Sequence, residues 1–187
     1  MILLASHNAA KAAELKRLTG LDVTTPDYPE PVEDGLSFKE NALIKARAGA
    51  KATGLVTLAD DSGLTVRALN GMPGILSARW SGTHGDDEAN NKLLLAQLHD
   101  LPREAAFVCC VALVTPDGEE YVEECHWEGT IATEPRGENG FGYDPIFIPH
   151  DGNGKTSAEL TAEEKDRLSH RGQAMRKIAT RLAQISQ

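Results

Sequence analysis

At 187 residues, with 41% hydrophobic and 25% charged residues, the chain has the composition of a globular protein with one well-buried core, and residues 1–187 are expected to form a single domain. The net charge of −9 disfavours a nucleic-acid polymer or an anionic membrane as partner, since both require a basic face; a small anionic ligand held by a few placed cations stays allowed. No apolar run approaches the about 20 residues that cross a bilayer, and Met1-Ile2-Leu3-Leu4-Ala5 lacks the basic leader and length of a secretory signal, so a cytoplasmic location is expected.

Ile2-Leu3-Leu4-Ala5 reads as a buried strand and residues 11–18 as a short helix, which makes Ser6, His7, Asn8, Ala9, Ala10 and Lys11 a tight strand-to-helix connection. Helix amino ends bind anions through unpaired N–H groups and the macrodipole, and Lys11 adds a full charge. The segment has no glycine and is not a Walker loop; Ser6 or Asn8 as a simple N-cap is the competing reading. Residues 25–35 hold three prolines and four acids without periodicity and read as a loop, from which Glu33 could reach a metal. Ser37-Phe38-Lys39-Glu40 is a capping box that opens an Ala-rich helix, stopped by Gly54. The box explains Glu40, and Asn41 and Lys45 lie one turn apart on one face, where a solvated surface is the usual outcome.

Residues 55–58 read as a buried strand that empties Asp60 and Asp61 into a loop with Ser62 and Gly63. Adjacent carboxylates repel, so a hard cation or a cationic side chain is needed to keep both ionised; Mg2+ bound to a phosphate substrate fits best, and an Asx turn is the plain alternative. Residues 65–69 resemble a second short strand, Gly71-Met72-Pro73-Gly74 a turn, and residues 77–80 a helical turn. Residues 87–98 form an amphipathic helix with Leu94, Leu95 and Leu98 toward the core and no assigned chemistry. Residues 106–114 are a central strand, in which Cys109 and Cys110 face opposite ways; with Cys125 they read as packing residues. Pro116-Asp117-Gly118 turns the chain into an alternating strand over residues 121–132, acidic enough to lie near a sheet edge.

The glycines of Gly137-Glu138-Asn139-Gly140-Phe141-Gly142-Tyr143-Asp144-Pro145 let the backbone approach a ligand, with Phe141 and Tyr143 as aromatic faces and Asp144 as an acceptor. A dinucleotide fingerprint is excluded because Pro145 follows where a helix must begin. Thr161-Ala162-Glu163-Glu164 is a second capping box, opening a helix that contains Lys165. Ser169 then caps a last helix that displays His170 and Arg171 at its positive end, and the six histidines show no zinc-ligand spacing.

Taken in order, Ser6-His7-Asn8-x-x-Lys11, the Ser37 to Ala46 block, Asp60-Asp61-Ser62-Gly63-Leu64, Gly71-x-Pro73-Gly74-x-x-Ser77-Ala78-Arg79, Gly140-Phe141-Gly142-Tyr143-Asp144-Pro145 and Ser169-His170-Arg171 resemble the inosine triphosphate pyrophosphatase family. Within it the chain is most similar to the bacterial dITP/XTP pyrophosphatases, over essentially its whole length. The resemblance implies an α/β fold, an elongated mixed β-sheet flanked by helices in two lobes with a central cleft, and a homodimer. It implies Mg2+-dependent hydrolysis of XTP, ITP or dITP to the monophosphate and pyrophosphate. By matching position, Asp61 is the general base and a metal contact, and Glu33 is a candidate for the second metal contact, with Glu40 the alternative. Ser6, His7, Asn8, Ala9, Ala10, Lys11 and Ser62 would hold the triphosphate. Phe141, Gly142, Tyr143 and Asp144, with Lys165, His170 and Arg171, would hold the base. A nucleotide-binding module without turnover and a phosphomonoesterase are the alternatives from other classes.

Overall fold

The structure, a computed structural model, describes residues 1–185 apart from the side chains of Ala10 and Glu14. Among the described residues six strands form one mixed sheet in the order β2-β1-β3-β4-β5-β6. They are β1 (Ile2–Leu4), β2 (Val23–Thr24), β3 (Thr57–Val66), β4 (Glu104–Val114), β5 (Glu120–Ile131) and β6 (Phe147–Pro149). β1 is parallel to both β2 and β3, with Leu3 opposite Thr57 and Leu4 opposite Leu58, while β6 runs antiparallel to β5. Among the described residues five α-helices complete the fold: α1 (Ala9–Thr19), α2 (Phe38–Thr53), α3 (Asp87–Leu98), α4 (Ala162–Leu168) and α5 (His170–Ile185). Among the described residues no helix is long and apolar enough to cross a membrane.

The chain divides into two compact units. One holds Met1–Asp61, Cys109–Cys125 and the segment from Gln173 onward; the other holds Ser62–Val108 and His126–Gly172. In the first, Leu4, Leu15, Leu58, Val111 and Ile178 share one apolar cluster, while Ala42, Ala46, Ala59 and Ala112 share another. Cys109 belongs to the former and Cys110 to the latter, as alternation along a strand requires, and neither is in a disulfide. In the second, Leu64, Leu94, Leu98, Phe107, Trp127 and Phe147 form the core.

Several expectations need correcting. The Asp60-Asp61 pair does not end a strand; β3 continues unbroken to Val66, and residues 67–69 form a 3-10 turn rather than a second strand. Turn-prone Asp-Ser-Gly is held extended by long-range partners. The Leu64 N–H donates to Ser77 Oγ at 2.9 Å, and Thr65 bridges to Pro73. The first helix begins at Ala9, not Lys11, so Ala9, Ala10 and Lys11 lie in its first turn. The two-residue β2 carries too little pattern to be seen in sequence. By contrast α2 runs from its Ser37 cap to Gly54 as expected, and Gly54 adopts φ +67°, the left-handed conformation that glycine supplies at a helix end.

Candidate functional site

The first unit gathers acids and lysines around β3. Asp60 is 2% exposed, and Lys11 Nζ donates to both of its carboxylate oxygens at 3.0 Å. Lys45 Nζ donates to the Asp60 main-chain carbonyl at 2.6 Å and lies 3.1 Å from Glu33 Oε1. α2 reaches β3 this closely because Gly49 has no side chain: a Cβ there would meet Thr57 Cγ2 at 2.7 Å and Leu3 Cδ2 at 2.8 Å. Asn41, at the start of α2, is buried; its Oδ1 accepts the Gly35 N–H at 2.9 Å, and its side chain hydrogen-bonds Asp61. With the oxygen taken by Gly35, the amide nitrogen is the group that faces the carboxylate.

Asp61 is half-buried, and burial pushes its carboxyl up to about 6. Lys45 opposes this rise, Glu33 and Asp60 add to it, and the Asn41 hydrogen bond opposes it. A carboxyl poised there takes up a proton near neutral pH more readily than an ordinary aspartate does. The pairing of the two acids is therefore unequal: Asp60 is matched by Lys11, and Asp61 retains uncompensated charge.

The first connection is ordered by itself. Ser6 Oγ accepts the Asn8 N–H at 3.1 Å, the Asn8 carbonyl accepts from Lys11 N at 3.1 Å, and His7 Nε2 lies 3.6 Å from Glu30. The Ala10 side chain is outside those described. The expected box is half formed: Ser37 Oγ accepts the Glu40 N–H at 3.1 Å, but the Glu40 carboxylate accepts the Leu36 N–H, one residue before the cap, instead of the Ser37 N–H.

The second unit encloses a cavity of about 150 Å³ lined by Ser62, Ser77, Phe107, Phe141, Tyr143, Lys165, His170 and Arg171 among others. That suits one flat heterocycle and is well below the ~300 Å³ at which drug-sized sites begin. Phe141 is 63% exposed; Lys165 Nζ lies 5.0 Å and the Arg171 guanidinium carbon 6.0 Å from its ring centre. Arg171 also donates to Ser62 Oγ at 3.1 Å.

Three expectations change here. Tyr143 does not offer a free face: it is buried, and its hydroxyl donates to the Ser77 carbonyl at 2.7 Å. Asp144 is a fastening rather than an open acceptor, since it receives the Phe141 N–H, the Ser157 hydroxyl and the Lys165 ammonium. His170 is not displayed at a surface but buried, stacked on Phe107 at 4.9 Å. Ser169 does cap α5, its Oγ accepting the Gly172 N–H at 3.1 Å.

The residues the sequence left without chemistry are Asp87 and Asn91 of α3, which bond Gly142 beside the cavity. A signal for them existed: Asn90 and Asn91 sit in the helical stripe of Leu94 and Leu98, where an apolar residue is normal, and both are buried.

The chain matches the Ham1 family over residues 2–181. It is 57% identical over 203 residues to the dITP/XTP pyrophosphatase of Corynebacterium efficiens, covering 99% of this chain and 98% of that protein. It is 59% identical over 187 residues to the dITP/XTP pyrophosphatase of Mycobacteroides abscessus, covering 93% of this chain and 90% of that protein. Among solved structures it superposes on a HAM1 protein from Coxiella burnetii with a TM-score of 0.91 at 43% identity, covering 98% of each chain. The nucleoside-triphosphatase / dITP/XTP pyrophosphatase from Mycobacterium abscessus gives 0.80 at 58% identity, covering 95% of this chain and 96% of the other.

Proposed function

The chain belongs to the Ham1 family and is a nucleoside triphosphate pyrophosphatase, and we propose that residues 1–187 act as one functional domain whose substrates are the non-standard purine nucleotides XTP, ITP and dITP. The observation that carries the choice of base is the cavity in which Lys165 and Arg171 both lie against the exposed Phe141 ring. Hypoxanthine and xanthine present an acceptor oxygen at position 6 where adenine presents donor hydrogens. N–H groups of these cations that Asp144 and Ser62 do not take can donate to that oxygen but meet donor hydrogens on adenine, a contrast worth up to roughly 10⁴-fold in a site built for hydrogen bonds.

The carboxylates of the first unit suit a hard divalent cation. Their donors are all oxygen, Asp61 keeps charge that Lys45 does not cancel, and Mg2+ commonly takes one or two carboxylates and completes its shell with water and substrate phosphate. Asp61 and Glu33 would hold Mg2+, which supplies positive charge to the phosphoryl oxygens and lowers the pKa of water.

The chain's own groups do the rest. Asp61 accepts the proton of the attacking water, aimed by Asn41, as pyrophosphate leaves the α-phosphorus. Lys45 steadies Glu33, and Lys11 keeps Asp60 matched so that its charge does not add fully to that of Asp61. The amino end of α1, with Ser6, His7, Asn8, Ala9, Ala10 and Lys11, offers N–H groups and positive charge to the triphosphate, and Ser62 a hydroxyl. Phe141, Gly142, Tyr143, Asp144, Lys165, His170 and Arg171 build the base cavity, either directly or by holding the residues that do.

We place the enzyme in the cytoplasm as a homodimer, a state that sedimentation of the purified chain checks. The test of function is a nucleotide panel with Mg2+ and product identification. XTP, ITP and dITP should each give the monophosphate and pyrophosphate, with ATP turned over at least about tenfold less efficiently. Equal turnover of ATP and ITP would overturn the base assignment, and full activity in excess chelator would overturn the metal.

A further inference from the structure

We propose that Asp87 and Asn91 of α3 are positioning residues for base recognition: together they clamp the backbone of Gly142 and so fix the Phe141 ring over the cavity, an inference that rests on the base-binding reading of that cavity. Asp87 Oδ2 accepts the Gly142 N–H at 2.8 Å, and Asn91 Nδ2 donates to the Gly142 carbonyl at 3.0 Å. The two residues are four apart on one helical face, so a single rigid element takes both polar groups of one loop residue.

Gly142 adopts φ +60°, and Phe141 beside it has its own N–H bound by Asp144 Oδ2 at 2.9 Å. An aromatic ring that is 63% exposed receives little steadying from packing. These backbone bonds fix the main chain from which the ring projects, and Lys165 and Arg171 lie over its face.

Asp87, an acid in the first turn, complements the positive end of α3, but its bond to Gly142 goes beyond that role, and Asn91 has no such role in the helix. The capping of α3 is already done by Asp86, which accepts the Ala89 N–H at 3.1 Å, so Asp87 is free of that duty. Asn91 is 8% exposed, on the stripe of Leu94 and Leu98, and its Oδ1 lacks a hydrogen-bond partner. A half-satisfied buried amide is costly where leucine would pack. What the amide gains is the Gly142 carbonyl.

The experiment compares Asp87→Ala, Asn91→Ala and the conservative Asp87→Asn, each alone and in a Phe141→Ala background, with ITP or XTP as substrate. Asp87→Ala and Asn91→Ala should each raise KM about tenfold with kcat within about twofold, as loss of a charged or buried bond predicts. Asp87→Asn, which keeps an acceptor oxygen, should restore most of the loss, and in the Phe141→Ala background neither alanine should add a further penalty. An unchanged KM, or the same penalty without Phe141, would overturn the proposal. Amide hydrogen exchange of the segment 137–143 reads the clamp without activity: it should quicken in both alanine variants at unchanged global stability, and unchanged exchange would sink the clamp. Asp87 is exposed, so its variant keeps the test decisive if Asn91→Ala does not fold. A wild-type chain inactive on every purine nucleotide would instead overturn the functional reading, with the exchange result still standing.

Discussion

Lys11 Nζ lies 3.0 Å from both carboxylate oxygens of Asp60, a side chain that is almost wholly enclosed. Removing the lysine would take from that buried carboxylate the cation that contacts both of its oxygens, whereas removing both charges together would not. Lys11→Ala should therefore cost at least about 2 kcal/mol in denaturant unfolding, and adding Asp60→Asn should recover a large part of it. The same lysine is proposed to face the triphosphate, so KM should rise too. Additive losses in the double variant would show that the pair is not coupled.

Asp61 gives a prediction in which activity and stability move oppositely. Its folded carboxyl is raised from the ordinary value of 3.8 to about 6, first by burial, so the folded state holds a proton that the unfolded chain has released. Stability of the metal-free enzyme should fall as pH rises through that window, with the cost complete above about pH 6 and absent below about pH 4. Asp61→Asn lacks the cost. In chelator at pH 7–8 it should be more stable than wild type by on the order of 1–3 kcal/mol, the difference closing toward pH 4. With Mg2+, kcat should drop about a hundredfold or more. Wild-type turnover in Asp61→Asn would remove it as the base.

What the sequence made legible was whatever rested on local chemistry. The Ser37 cap, the Thr161 capping box, the αL glycine after α2 and the Ser169 cap are set by neighbours in the chain, and the structure has each of them, although Glu40 returns to the Leu36 N–H rather than closing a box on Ser37. What it hid depended on distant partners. Asp-Ser-Gly at 61–63 has turn chemistry, but Ser77 Oγ and the bridge to Pro73 hold the chain extended beyond Gly63. Lys45 and Asn41 read as a solvated helix face until Gly49 brings α2 against β3. Asp144 and Lys165 were each foreseen near a base, but not that the lysine would bond the aspartate, since 21 residues separate them.

The burial of His170 changes what its substitution should do. Stacked on Phe107 and close to Trp127, its ring is part of the wall that shapes the cavity. His170→Ala should destabilise the fold by about 2 kcal/mol or more through the void it leaves, lowering activity on all nucleotides together. Arg171→Gln, which removes a cation from the Phe141 ring while keeping a polar side chain, should narrow the kcat/KM preference for ITP over ATP by about tenfold. Steady-state kinetics on both nucleotides, with thermal unfolding, separates these outcomes. Base discrimination lost in His170→Ala at full stability would return selection to the imidazole.

Glu33 is anchored by Lys45 at 3.1 Å and raises the Asp61 carboxyl, so it lies within electrostatic reach of the proposed base. If it also helps hold Mg2+, then Glu33→Gln should weaken Mg2+ binding about tenfold, measured by calorimetry with the purified enzyme. Turnover at low Mg2+ should fall in proportion and return toward wild type as Mg2+ is raised, because the base itself is intact. The neutral glutamine also lifts one repulsion from Asp61, so the destabilising window of the metal-free protein should move to lower pH. A residue that only pairs with Lys45 would alter that window without changing the Mg2+ dependence of turnover. The response to added Mg2+ therefore decides whether Glu33 is a metal contact.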